Sequence, residues 1–196
     1  MDKTGYLARI GELTEPGERV LAHAKATVAG GVTPPPPPDP APAPASGPIS
    51  PGAVVLNLVD PLVSSARGDR LVDRIVWGVA GRGAPGSAAS RLHRAVQPDP
   101  ALHDIVLAVT DRRLLACLTG PLKLLSSRDD DARAVAEMQV AWAAPRSGVA
   151  AARVGWHRLN PKRLRIVFTD GSWLAFTVPI AESGRPLRTV AAALAD

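Results

Sequence analysis

Apolar side chains recur at helical intervals near the start of the chain, where Tyr6, Leu7, Ile10 and Leu13 share a face and the Glu15-Pro16-Gly17-Glu18 turn closes the segment. From Arg19 to Val28 the period falls to two. Val20, Ala22, Ala24, Ala26 and Val28 alternate there with Leu21, His23, Lys25 and Thr27, which predicts a first strand. Residues 53–97 return to a helical pattern. Asp69 suits the N-cap of a helix carrying Leu71, Val72, Ile75, Val76 and Val79 and stopped by Gly81; Ser87 suits the cap of a second, with Ala88, Leu92, Ala95 and Val96. Beyond Pro98-Asp99-Pro100 six short β-like runs follow: Asp104–Thr110, Arg113–Thr119, Val135–Ala144, Val149–Trp156, Arg163–Thr169 and Ser172–Val178. Five of the seven aromatic residues (Trp142, Trp156, Phe168, Trp173 and Phe176) lie in these runs, so the main core is expected there.

Parity of the side chains predicts the register of two hairpins. With Asp111-Arg112 as the turn, Val109 faces Leu114, Leu107 faces Ala116 and Ile105 faces Leu118. In the second hairpin a two-residue Asp170-Gly171 loop would scatter the large apolar groups over both faces. A three-residue loop, Thr169-Asp170-Gly171 with Gly171 left-handed, instead gathers Leu164, Ile166, Phe168, Leu174, Phe176 and Val178 on one face. Val167, Trp173, Ala175 and Thr177 then point the other way, and an indole there needs a cover, either the helical insert around Val72, Ile75 and Val76 or a protein partner. Residues 186–195 read as a last helix, with Pro186 in its first turn and Leu187, Val190, Ala191 and Leu194 as its apolar stripe. At ten residues it needs a sheet to dock on.

The sequence Leu107-Ala108-Val109-Thr110-Asp111-Arg112-Arg113-Leu114-Leu115 resembles the "TDRRLL" hairpin of small bacterial pleckstrin-homology-like (PH-like) domains. Ile166-Val167-Phe168-Thr169-Asp170-Gly171-Ser172-Trp173-Leu174 is similar to their penultimate hairpin. The likeness covers residues 19–28 and 104–195, and it departs from the small domain by an insert of about seventy residues after the first strand. It implies an α+β fold: a seven-stranded antiparallel, partly open barrel of two packed sheets capped by a C-terminal helix. It also implies a binding or self-association module that is not an enzyme and carries no catalytic residue; one fold hosts many functions, so the process itself stays open. The residues themselves lead to no expected metal or cofactor. The expected organisation is a helix and first strand over 1–30, a Pro-rich linker over 31–52, a helical insert over 53–102 and the rest of the PH-like domain over 103–196.

Composition refines this picture. Ten of the 20 prolines of the 196-residue chain lie between Pro34 and Pro51, which sets that tract apart as extended linker. The chain is 46% hydrophobic and 21% charged, enough for a packed core. The formal charge of +5 divides into four Lys/Arg against six Asp/Glu over residues 1–60, six against three over 61–102 and thirteen against nine over 103–196. No block is strongly basic, which argues against nucleic acid as partner. The charged N-terminus holds no signal-peptide core, and no apolar run is long enough to cross a bilayer, so a cytoplasmic location is expected. The single Cys117, in an apolar run, reads as a buried structural thiol.

Candidate chemistry is sparse. Gly81-Arg82-Gly83-Ala84-Pro85-Gly86 matches G-x-G-x-x-G but lacks the strand and acidic residue of a dinucleotide site, and it reads as a turn between helices. Arg67-Gly68-Asp69 reads as part of a helix cap, Asp129-Asp130-Asp131 as a solvated loop, and His23, His93, His103 and His157 show no catalytic spacing. The sharper candidate is the turn after Trp156, where Arg158, Lys162, Arg163 and Arg165 form a cluster suited to an anionic ligand or a membrane surface. Trp173 and Val167 are the candidate protein-interaction residues.

Overall fold

The computed structural model describes residues 3–30, 79–97, 103–121, 127–157, 160–178 and 183–195. The Pro-rich tract and the helix expected after Asp69 fall outside these residues. Helix α1 (Lys3–Leu13) leads through the Glu15–Glu18 turn into β1 (Val20–Val28); the chain is next described at Val79, just before a two-residue strand β2 (Gly81–Arg82). Then come α2 (Ala88–Val96), β3 (Ile105–Thr110), β4 (Arg113–Leu118), α3 (Arg128–Ala136) and β5 (Gln139–Pro145). A single 3-10 turn, Arg146–Gly148, links β5 to β6 (Val149–His157), which is followed by β7 (Asn160–Phe168), β8 (Trp173–Thr177) and α4 (Arg185–Ala195). The molecule is therefore α+β, its antiparallel strands ordered β5-β4-β3-β1-β8-β7-β6, with β2 a further partner of β8.

Both hairpins take the register that side-chain parity demands. Val109 pairs with Leu114, Leu107 with Ala116 and Ile105 with Leu118. In the second, Ile166 pairs with Leu174 and Leu164 with Phe176, and Gly171 has φ 78°, the left-handed conformation that closes the three-residue loop. The Phe168 amide donates to the Ser172 carbonyl at 2.8 Å, fixing the end of the ladder.

Three local expectations are corrected. Asp129, Asp130 and Asp131 are the first turn of α3, not a loop: Ser127 caps Asp130, whose carboxylate returns to Ser127, and acidic groups are favourable at a helix N-terminus. The β-like run from Val135 accordingly begins as helix, and the strand proper starts at Gln139. Gly81 is not a helix stop. It pairs with Leu174 as β2, and α2, capped by Ser87 as expected, places Ala89, Leu92 and Val96 in the main core.

Alternation in β1 puts Ala22, Ala24 and Ala26 inside, where small side chains leave room for Phe168, Phe176, Leu92 and the α4 stripe of Leu187, Val190, Ala191 and Leu194. The opposite side of β3 and β4 (Val106, Ala108, Leu115 and Cys117) packs under α1 and α3 through Tyr6, Ile10 and Val135, with Met138 of the α3–β5 link beside them. One half of the sheet is thus covered on both sides.

Strand β1 changes partner along its length, pairing with β3 from Val20 to Ala26 and with β8 at Thr27 and Val28. The Ala29 amide donates to the Ala175 carbonyl at 2.9 Å, and the Ala175 amide donates to the Ala80 carbonyl at 2.7 Å. Ala29 and Ala80 therefore meet at one residue of β8, and β2 pairs with β8 next to where β1 does.

Candidate interaction surface

The side of β6, β7 and β8 away from the core is built by strand alternation. Leu164, Ile166, Phe168, Leu174 and Phe176 point in, so Arg163, Arg165, Val167, Trp173, Ala175 and Thr177 point out. Cross-strand pairing extends this side in both directions. Arg82 of β2 pairs with Trp173, and Arg153 of β6 pairs with Arg165. Partners in register share a side, so Arg82, Trp173, Arg165 and Arg153 lie on one face across four strands.

Their environments differ. The Arg165 guanidinium lies 4.2 Å from the centroid of the Trp173 ring, a cation–π stack that holds its fork in place while the residue stays exposed. Trp173 is half-buried, packed against the cluster of Ala29, Ala80 and Ala175. Among the described residues its cover comes from the two chain segments that flank residues 30–79 and from Arg165; Val72, Ile75 and Val76 lie outside the described residues. Arg163 is only 7% exposed and donates to the Val79 carbonyl. Arg82 and Arg153 are exposed, and among the described residues neither they nor Arg165 has a carboxylate at ion-pair distance.

The expected cluster after Trp156 is divided by the same alternation. Lys162 faces away from Arg163 and Arg165, its stem against Gly184 before α4. Arg158 lies outside the described residues, and Trp156 is 75% exposed at the end of β6. Val167 stands beside Trp173 as expected.

Sequence reasoning missed Arg82 and Arg153. A signal was present: between Gln139 and Val178 the chain carries six Lys/Arg and one Asp, a local +5 equal to the charge of the whole chain. Counting over residues 103–196 averaged that stretch with the three aspartates of α3. The one acid, Asp170, is engaged at the hairpin tip, where it accepts from the Ala88 amide at 2.8 Å and the Ser172 amide at 2.9 Å. Burial pushes its carboxyl up, but these bonds and the nearby Arg91 outweigh burial and hold it below the usual range.

Elsewhere the polar groups serve the fold. Glu18, its side chain fully buried, accepts from Arg113 Nε at 3.0 Å and Thr110 Oγ1 at 2.5 Å, tying the β1 entry to the β3–β4 turn. Lys25 pairs with Asp104 at 2.6 Å. Cys117 is buried, and burial pushes its thiol up to about 11. Among the described residues no three His, Cys, Asp or Glu side chains converge on a metal position, and no helix is long and apolar enough to cross a membrane. No protein-family model, curated protein or solved structure matches the chain.

Proposed function

We propose that the chain is a cytoplasmic PH-like module that works through protein contacts or self-association rather than catalysis, with the outer face of β8, β7 and β6 as its working surface. The order β5-β4-β3-β1-β8-β7-β6 with a C-terminal helix packed against the interior supports the PH-like reading, as do the two hairpins that suggested it. The observation that carries the functional reading is an asymmetry of cover. Helices α1 and α3 close the outside of β3 and β4, whereas among the described residues no helix packs on the outside of β8 and β7, where Trp173 lies against Ala29 and Ala80 and Arg163 donates to the Val79 carbonyl. Trp and Arg are both enriched among the residues that dominate affinity in protein interfaces.

Native mass across a concentration series, with identification of cross-linked partners, tests this reading on the full chain and on Trp173→Ala. Retained fold with loss of an assembly or a partner is the expected result. A chain that stays monomeric, and whose cross-linked partners are the same with and without Trp173, overturns it. Charge-driven attachment to anionic vesicles is the competing outcome, recognised by binding that salt abolishes.

A further inference from the structure

Strand β6 is one end of the sheet, and among the described residues no strand pairs with its other side. Its open edge can be assigned residue by residue. The Phe168 amide faces β8, and Ala175, the β8 partner of Arg165, exchanges its bonds with Ala29 and Ala80. Antiparallel alternation then turns the peptide groups of Arg165 and Val167 toward β6 and those of their partners Arg153 and Ala151 toward β7. The peptide groups of Ala152 and Val154 consequently point to the open side. At nine residues β6 is long for an edge and contains no proline, whereas the opposite edge, β5, has seven and ends in Pro145. Just beside that open edge stand Arg153 and Arg165, directly opposed across the strands and, among the described residues, with no carboxylate at ion-pair distance. Like charges in such a pair destabilise a sheet, so the arrangement is explained by what it binds rather than by what it stabilises.

We propose that β6 accepts an extended acidic segment of a protein partner, which adds a strand by bonding to Ala152 and Val154 and sets a carboxylate against Arg153. The proposal rests on the protein-contact reading above and names the partner's chemistry. In an added antiparallel strand the residue facing Arg153 sits in the closely spaced, non-hydrogen-bonded position, where side chains approach most. A second copy of β6 is disfavoured because Arg153 is the midpoint of Val149–His157, and two-fold pairing there would oppose Arg153 to itself. A nucleic-acid strand gains nothing from the peptide edge, and the Trp173 ring that a base would stack on already carries Arg165.

The test uses the full chain and a fluorescent, end-blocked decapeptide of alternating Thr and Glu, with the Thr/Lys counterpart and a ten-nucleotide thymidine strand as competitors, read by anisotropy at low and moderate salt. The acidic peptide is expected to bind. Arg153→Glu is expected to weaken it at least tenfold while raising the melting temperature, because the variant relieves the Arg–Arg pair. Charge-matched Arg19→Glu, remote from β6, is expected to change affinity little. Ala152→Pro removes an edge amide and is expected to weaken binding likewise. Since that variant also touches the core, amide exchange of the unaltered chain is measured in parallel, with Ala152 and Val154 slowed by peptide. No binding at millimolar peptide, equal loss with Arg19→Glu, unprotected edge amides, or tighter binding of the oligonucleotide each overturns the inference. None of these touches the native-mass test of the broader reading.

Discussion

Replacing Glu18 by Gln probes the most buried ionic contact described in the fold, and its effect should be a function of pH. The Arg113 side chain, bonded to both carboxylate oxygens, is the main reason that Glu18 is held at about 2 instead of its ordinary 4.5; Thr110 and the Glu15 amide add to it, and burial opposes them. A carboxyl with a lowered folded-state value stabilises the fold above the unfolded value and loses that contribution as the pH falls toward the folded one. At about 1.4 kcal/mol for each pH unit, the gap from 4.5 to about 2 corresponds to about 3 kcal/mol at neutral pH. About three-fifths of that is gone by pH 3. Arg113 keeps Glu15 at 2.9 Å and a quarter of its side chain in water, so the variant leaves no orphaned cation. We therefore expect Glu18→Gln to lower unfolding free energy by about 2 to 3 kcal/mol at pH 7 and by about 1 kcal/mol at pH 3. Urea melts of both proteins between pH 7 and pH 3, followed by tryptophan fluorescence, measure the difference. A gap that does not change with pH, or one below about 0.5 kcal/mol at pH 7, refutes the assignment of Glu18 as a structural anion.

Other expectations follow from single observations. Because Ala29 and Ala80 both bond to Ala175, joining Gly30 to Val79 and deleting residues 31–78 should leave a cooperative fold; a molten product in calorimetry would show that the deleted segment is integral to the domain. With its thiol buried and pushed up to about 11, Cys117 should react with a thiol reagent at neutral pH only as fast as the protein unfolds, and rapid native labelling would contradict its placement. Gly171→Ala should cost about 1 kcal/mol in denaturant melts because φ 78° suits glycine, and a neutral result would mean that the loop relaxes to another turn. Trp173→Ala should cost about 2 kcal/mol, since the indole is half-buried against alanines; an unchanged melt would remove it from the sheet face.

Local rules in the sequence settle much of this fold. Period-two runs identified the long strands, Ser87 and Pro186 located two helix starts, and the demand that Leu164, Ile166, Phe168, Leu174 and Phe176 share a side selected the loop around Gly171, because a one-residue slip would reverse every side chain. Such features depend on neighbours a few residues apart. Helix α3 escaped because its first turn is three aspartates, which look solvated until Ser127 is recognised as a cap that favours them. The surface escaped for a different reason. Arg82, Arg153 and Arg165 come from three strands, and nothing in their spacing says that they share a side; that follows only from pairing Trp173 with Arg82 and Arg165 with Arg153. Alternation tells which residues of a strand lie together, but which strand lies beside which is decided by the packing of the whole sheet. Tertiary structure likewise decided that Lys162 parts from Arg163, that α2 belongs to the main core, and that Ala29 and Ala80, far apart in sequence, meet at Ala175.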